Sequence, residues 1–262
     1  RGGALLLGGL AALAVIAGLA GQVMWSFAGL WQFPDLWPDG FTFRNWHRFG
    51  PHLAAPVAET LVIAGAATAL ALLLTLASLE AEHRHGLRPA TRALWLLYLP
   101  LIVPQVAFLT GFQTLSIMAG VDGNRMAVIL AHLVFVLPYV FLSLSDPWRA
   151  WDARQDTVAR ALGAGPDRVL WAVRLPMLLR PLLVAAAVGF AVSVGQYLPT
   201  LLVGAGRVST LTTEAVALAS GGDRRAIGVY ALAQTAAAFA PFALAVLLPR
   251  LAWRNRAGMR DG

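Results

Sequence analysis

The residues most able to do chemistry in this sequence lie between Asp156 and Pro181, a largely polar segment between strongly apolar runs. The segment, DTVARALGAGPDRVLWAVRLPMLLRP, combines carboxylates and arginines with two glycines and two internal prolines. Cysteine nucleophiles, disulfides and thiolate metal sites are excluded because the chain has no Cys. A lysine for a phosphate-binding loop is also missing, because all 20 Lys and Arg residues are Arg. We therefore expect no catalytic residue, no metal site and no cofactor.

A second group of polar side chains is embedded among apolar residues. Polar groups at membrane depth mark transport paths, but they also form hydrogen bonds between helices or satisfy carbonyl groups freed by proline. The sequence leaves both interpretations open. The candidates for a transport path in these apolar stretches are Gln105, Gln113, His132, Gln196, Tyr197 and Gln234.

Membrane helices must position these side chains, because 58% of the residues are hydrophobic and only 13% are charged. A helix needs roughly 20 apolar residues to cross a bilayer core. Continuous rather than alternating apolar runs favour helices over a β-barrel. The sequence thus predicts an all-α polytopic membrane protein with a single domain over 1–262. The six predicted spans are about 2–27, 55–79, 93–117, 126–144, 178–203 and 226–249.

The arginines predict the orientation of these spans. When alternate connections are assigned to the same side, fourteen arginines fall on one side and six on the other. Because positive residues accumulate in cytoplasmic loops, both termini and the connection 147–177 are expected in the cytoplasm. The same placement accounts for the net charge of +7, so we expect no nucleic-acid partner. The first apolar run is interpreted as a span and not as a signal peptide.

The cytoplasmic segment itself predicts a helix-turn-helix. A first helix of about two turns is expected to begin near Asp156 and to end at Gly163, since glycine readily adopts a left-handed backbone at a helix end. Pro166 suits the first turn of a second helix, where its missing N–H costs nothing. Pro176 disfavours helical geometry at Leu175, so the second helix is expected to end or bend there.

This pattern resembles the cytoplasmic signature loop of binding-protein-dependent ABC importer permeases of type I. That loop runs Glu-Ala-Ala, then Gly after three residues, then Leu-Pro about a dozen further on. The residues in register are Ala159, Arg160, Leu162, Gly163, Ala164, Leu175, Pro176 and Pro181, with Leu170 at the bulky apolar position between them. Thr157 stands where the family has Glu, with Asp156 beside it, and Val158 replaces the first Ala.

The resemblance extends over nearly the whole chain. FPDLWP, FTFRNW and HLVFVLPYV are also similar to sequences of this family. The chain is most similar to one half of the fused double permeases of the ferric-iron and thiamine type, in an uncharacterised inner-membrane branch of them. The resemblance implies a MetI-like fold of six helices in the bacterial inner membrane, with membrane lipid around it.

The resemblance also implies partners. These are two ABC ATPase subunits, a second permease unit, fused or separate, and an external substrate-binding protein. The cytoplasmic loop would dock in a groove of the ATPase and couple ATP hydrolysis to transport. The coupling residues expected from it are Asp156, Thr157, Val158, Ala159, Arg160, Ala161, Leu162, Gly163, Ala164, Gly165, Leu175 and Pro176.

Cargo and alternatives stay open. The connection 207–225 predicts a short helix whose Glu214 would meet a cationic substrate or the binding protein, or would only stabilise the start of that helix. Selectivity belongs largely to the binding protein, and the resemblance points to thiamine-like or ferric cargo. A secondary transporter or channel would instead need charged relays in the membrane, which only His132 suggests. A membrane enzyme would need a clustered catalytic set, which the sequence does not supply.

Overall fold

A computed structural model describes residues 2–32, 34–87 and 89–252. Over these ranges the chain is helical without a β-sheet, and one isolated antiparallel bridge pairs Ala28 with Phe41. The helices in chain order are α1 (Gly2–Phe27), α2 (Arg44–His85), α3 (Thr91–Ile102), α4 (Gln105–Met118), α5 (Arg125–Arg149), α6 (Ala153–Ala161), α7 (Pro166–Val169), α8 (Leu175–Met177), α9 (Leu179–Val194), α10 (Leu198–Gly204), α11 (Leu211–Gly221) and α12 (Arg224–Ala252). Five arginines of the orientation count lie outside the described residues, namely Arg1, Arg88, Arg254, Arg256 and Arg260.

The prediction of an all-α polytopic membrane protein is confirmed. Four described helices are long and apolar enough to cross a membrane, namely Leu5–Phe27 within α1, Arg44–His85, Arg125–Arg149 and Arg224–Arg250 within α12. Two further crossings result if each of two bent helix pairs counts as one span. The number of crossings is therefore four to six, and the predicted six requires both bent pairs.

The predicted third span is not one continuous helix. The axes of α3 and α4 differ by 102° in direction. Val103 between them is extended, with φ −75° and ψ 134°, because proline disfavours helical geometry in the residue before it. Pro104 then precedes the first turn of α4 and has no N–H to lose.

The predicted fifth span is also interrupted. Helix α9 ends at Val194, and α10 begins only at Leu198. Gly195 closes α9 by donating its N–H to Ala191 O at 3.1 Å. Pro199 lies in the first turn of α10, where a proline starts a helix easily. The predicted span over 178–203 therefore consists of two helices, α9 and α10, and not of one.

Helix α2 is longer than the span predicted within it. It begins at Arg44, whose N–H is accepted by Thr42 Oγ1 at 3.1 Å, and it ends before Gly86, which has φ +61°. Part of the connection expected before residue 55 is thus helical. Because 42 residues at 1.5 Å each exceed the thickness of a bilayer core, α2 extends beyond the hydrocarbon region.

The described residues form two compact units, which we call the N-terminal unit (the described residues of 1–61 and 209–236) and the central unit (the described residues of 62–208 and 237–262). In the N-terminal unit, the side chain of Asn45 donates to the carbonyl oxygens of Ser26 at 3.1 Å and Ala28 at 2.9 Å. Thr60 Oγ1 accepts the N–H of Leu211 at 2.9 Å. These hydrogen bonds hold the first turn of α2 and the first turn of α11 in place. That both units form one permease domain stays a prediction.

The central unit is built around α5. Its buried face packs on α2 and α9 through residues such as Ala71, Val136 and Ala185, and on α4 through Leu109. Gly189 of α9 lies at the crossing, because a Cβ there would be 2.6 Å from Val140 Cγ2. Close approach of two membrane helices at a small residue is typical of packing in lipid.

Candidate functional site

The polar segment begins with a helix that starts earlier than predicted. Helix α6 runs from Ala153 to Ala161, because Asp152 is extended and its Oδ1 accepts the N–H of Arg154 at 3.0 Å. An aspartate in this position caps a helix by satisfying a free N–H of the first turn. Asp156 therefore lies inside the helix, and the expected start at Asp156 is wrong by one turn.

The turn after α6 has the predicted form. Gly163 has φ +85°, a conformation that side chains disfavour, and Ala164 N–H is accepted by Ala159 O at 3.0 Å. Pro166 lies in the first turn of α7, with Gly165 before it in an extended conformation. The helix-turn-helix prediction is confirmed in this part.

The second helix does not end at Pro176. A π-helical turn over Leu170–Arg174 follows α7, and the N–H of Leu175 is accepted by Leu170 O. This wider turn carries the chain into α8 without a hydrogen bond from Pro176, which has no N–H. The bend of 74° falls after α8, before α9 begins. The expected break at Leu175 is therefore wrong, and Leu178 is the residue that leaves helical geometry.

The segment 153–177 presents an apolar patch to its surroundings. Leu162 is 84% exposed and Val158 is 61% exposed, and Trp171 of the π-helical turn is also exposed. Arginines surround this patch. The exposed ones are Arg154, Arg160 and Arg168. The other predicted coupling residues are exposed (Thr157, Ala161, Gly163, Gly165) or half-buried (Ala159, Ala164, Leu175, Pro176), apart from Asp156.

Asp156 faces away from this patch and is buried. Its Oδ2 is 2.8 Å from His83 Nε2 and also accepts from Arg174, while its Oδ1 accepts from Trp151 Nε1 at 2.9 Å. On α6 a residue two positions later lies about 200° around the helix. Asp156 and Val158 therefore occupy opposite faces, and Asp156 does not contribute its carboxylate to the exposed surface.

The carboxyl group of Asp156 is held ionised. Burial alone would favour the neutral acid. Hydrogen bonds from Trp151 and His83 and the charge of Arg174 outweigh that effect and lower the pKa of Asp156 below its ordinary value of 3.8. The group is therefore an anion at neutral pH, as a partner for a buried guanidinium must be.

Arg174 connects the segment to helix α2. Its guanidinium is buried, and its two terminal nitrogens bond the carboxylates of Asp156 and Glu80. It also lies over the rings of Trp148 and Trp151, 5.6 and 5.7 Å from their centroids. Glu80 is shared with Arg84, whose Nε lies 2.6 Å from Glu80 Oε1.

A separate candidate site is a cavity of about 510 Å³ in the central unit. It lies at the bend between α3 and α4 and is lined by 100–105, by Phe135 and Tyr139 of α5, and by residues at the end of α9. Gln105 and Gln196, two of the predicted path residues, both line it. Gln196 is 6% exposed, its Nε2 donates to His132 O at 3.3 Å, and its Oε1 has no partner among the described residues.

His132 lies behind this cavity in an internal hydrogen-bond chain. Its Nδ1 is 2.7 Å from Ser193 Oγ, and its Nε2 is 2.9 Å from Thr200 Oγ1. Because Thr200 donates its own proton to Gln196 O at 3.0 Å, it accepts from Nε2, and Nδ1 accepts from Ser193. Both ring nitrogens are thus used internally, which supports the structural interpretation of His132.

The remaining predicted residues are not brought to the cavity. Gln113 and Tyr197 are half-buried in the central unit but do not line it. Gln234 and Glu214 belong to the N-terminal unit. Glu214 lies in the first turn of α11, which begins at a capping box formed by Thr210 and Thr213, and it accepts a bond from Ser209. This position supports the interpretation of Glu214 as a helix-start charge.

Sequence reasoning missed the residues that hold the 153–177 segment. In the sequence Arg174 contributes only to the count of positive charges, and no site is predicted at Glu80 or His83. The one sequence signal that could have indicated these contacts is the pair of acids, Glu80 and Glu82, at the end of a long apolar run. Nothing local to Glu80 points to a partner 94 residues away.

Comparisons with known proteins show which family the sequence matches. The family described as "Binding-protein-dependent transport system inner membrane component" matches residues 88–252. The chain is similar to the inner membrane ABC transporter permease protein YnjC of Escherichia coli K12, at 40% identity over 202 residues, covering 77% of this chain and 38% of that protein. It is also similar to the molybdenum transport system permease protein ModB of Mycobacterium tuberculosis, at 33% identity, covering 60% of this chain and 66% of ModB.

A further relative is the putrescine transport system permease protein PotI of Escherichia coli K12. The two chains are 27% identical over 150 residues, which is 54% of this chain and 53% of PotI. The chain thus spans less than two thirds of the length of each of these three relatives.

Proposed function

The chain belongs to the family of binding-protein-dependent inner membrane components, the permeases of ABC importers, and from this membership we propose that it forms part of the translocation path of an ATP-driven importer. The family is a transport family and not an enzyme family. In this proposal ATP hydrolysis belongs to partner ATPase subunits, and a binding protein delivers the cargo. The chain lies in the bacterial inner membrane, with the 153–177 segment on the cytoplasmic side together with both termini.

The observation that carries the proposal is the exposed surface of the 153–177 segment. Val158 lies on the short helix α6 and Leu162 directly follows it, before the glycine turn, and exposed arginines lie nearby in the sequence. An exposed apolar patch with a charged rim is suited to docking in a groove of another protein. We infer that the groove belongs to an ATPase subunit, with acidic residues facing Arg154, Arg160 and Arg168.

The docking surface is tested by truncating Leu162, the most exposed leucine of the 153–177 segment. Burying a leucine side chain contributes about 1.5–3 kcal/mol, so Leu162→Ala should weaken binding of the co-expressed ATPase subunit about 10- to 100-fold. The dissociation constant is measured with the permease in lipid nanodiscs. Leu87→Ala is the matched control, because Leu87 is also exposed, at 58%, and lies outside the patch. Equal affinities for the two variants would refute docking through Leu162.

We place the cargo path at the cavity lined by Gln105 and Gln196. The unpartnered Oε1 of Gln196 offers an acceptor to water or to a donor group of the cargo. At the bend, the backbone of Val103 is extended and not helical, and it lies next to the cavity. Irregular backbone at membrane depth is tolerated where it lines a water-filled space. The relatives' names include molybdenum and putrescine, which differ from each other, so the proposal extends only to a small solute.

The absence of cysteine from the chain makes the cavity easy to test. Gln105→Cys and Tyr139→Cys should react with a water-soluble methanethiosulfonate reagent, because only thiols in contact with water form the reactive thiolate. Leu115→Cys is the control, since Leu115 is on the same helix as Gln105 and is 65% exposed but does not line the cavity. A water-filled path is refuted if all three thiols react at the same rate.

A further inference from the structure

The 153–177 segment has very few buried side chains to hold it. Among 153–174 only three residues are buried, and they are Asp156, Val169 and Arg174. A single valine contributes only about 1.5–3 kcal/mol of apolar burial. Leu170 and Leu175 pack half-buried against the core of the central unit, but within α6 only Asp156 is buried, so the position of α6 depends mainly on the contacts of that carboxylate.

Arg174 is held at both terminal nitrogens, whereas its Nε has no hydrogen-bond partner among the described residues. Its guanidinium is 2% exposed, bonds carboxylates on two different helices, and is covered by the rings of Trp148 and Trp151. Each bond joins two opposite charges, and such bonds are the strongest and most directional kind in proteins. Two contacts thus join α6 to α2, the paired bonds of Arg174 and the 2.8 Å contact between His83 Nε2 and Asp156 Oδ2, and both involve Asp156.

The second carboxylate that bonds Arg174 belongs to Glu80 and joins Arg174 to α2. Glu80 lies one turn before the end of α2, and its other oxygen accepts from Arg84. Arg84 in turn lies 2.8 Å from Asp167 of α7. Because Asp167 is exposed, this ion pair between Arg84 and Asp167 contributes little to stability. The inner end of α2 is thereby connected to α6 directly and to α7 weakly.

We propose that Arg174 is a positioning residue, which fixes the exposed patch of α6 to the end of α2 so that movement of the patch moves that helix. The inference rests on the proposed function, since it concerns how motion of a docked partner reaches the membrane helices. Asp156 and Glu80 act as its two anchors, one on each side. Without Arg174 the two acids repel each other, and of these contacts only that of His83 with Asp156 still joins α6 to α2, so α6 moves more freely about its glycine turn.

The first test does not depend on any partner. A spin label is attached through Leu162→Cys in the chain reconstituted in nanodiscs, and its mobility is measured by electron paramagnetic resonance. Arg174→Met and Asp156→Asn should each raise the mobility of the label, whereas Arg149→Met should not. Arg149 is the matched control because it forms a more exposed ion pair, with Glu82 at 3.0 Å. Unchanged mobility in folded Asp156→Asn overturns the inference, whether or not Arg174→Met folds.

The second test measures transmission. The modification rate of Gln105→Cys by a methanethiosulfonate reagent is compared with and without ATP, in the complex with co-expressed ATPase subunits. Arg174→Met and Asp156→Asn should keep ATPase binding but lose at least about two thirds of the ATP-dependent change in rate, whereas Arg149→Met keeps it. A full ATP response in either variant overturns the inference. If the parent chain neither binds the ATPase nor responds to ATP, the proposed function fails, and label mobility alone decides the role of Arg174.

Discussion

Replacing Gly189 with alanine would test the helix crossing at the centre of the central unit. A Cβ at this position would lie 2.6 Å from Val140 Cγ2 and 3.2 Å from both Thr68 Cγ2 and Val136 Cγ1. The first distance is far shorter than a normal carbon contact, and all three neighbours are in packed helices. Overpacking of this kind costs about 1–3 kcal/mol, against a gain of up to about 1 kcal/mol from helix propensity.

The expected net effect of Gly189→Ala is a loss of about 1–2 kcal/mol in the free energy of unfolding. For a chain of this size the apparent melting temperature should fall by about 2–8 °C, followed in detergent by the fluorescence of the nine tryptophans. Gly111→Ala is the control, because Gly111 is also inside a helix but nothing lies within 4 Å of its Cβ position. A melting temperature of Gly189→Ala at or above that of Gly111→Ala would refute the close crossing.

Three further outcomes are expected. Asp156→Asn should melt at a lower temperature than the parent chain, and this difference should not shrink between about pH 7 and about pH 5. The reason is that the lowered pKa of Asp156 keeps its stabilising charge until the pH falls below 3.8. A difference that shrinks over this range contradicts the prediction. His132→Leu should cost about 1–3 kcal/mol in thermal unfolding, since it leaves Ser193 without its hydrogen-bond acceptor. Arg207→Ala should cost less than about 1 kcal/mol by the same measurement, because its pair with Asp122 is exposed.

Local sequence signals predicted the parts of the segment that local chemistry decides. Gly163 and Pro166 mark the turn because their backbone restrictions act whatever the rest of the chain does. The predicted start of α6 at Asp156 is one turn late, because Asp152 lies one turn earlier and is equally suited to the start of a helix. Only the extended backbone at Asp152 identifies it as the cap.

The rest depended on contacts between distant parts of the chain. Pro176 predicts a break, but the π-helical turn before it accommodates a residue that has no N–H to donate. The bend therefore falls later, at Leu178. The cavity is lined by both Gln105, the first residue of α4, and Gln196, which lies between α9 and α10, and these residues are far apart in sequence. Polarity alone predicts both glutamines as path residues, but it predicts Gln113 equally, and Gln113 does not line the cavity. Nothing in the apolar pattern indicates which glutamine faces a cavity.

The ion pairs of Arg174 also restrict how sequences of this kind can diverge. A buried charge that loses one partner costs several kcal/mol, whereas replacing the whole group by apolar residues can be neutral. Substitutions at Asp156, Arg174 and Glu80 should therefore be inherited as a set. Among homologous chains, those with an apolar residue in place of Arg174 are expected to have lost both acids as well, although these three positions lie in separate parts of the sequence.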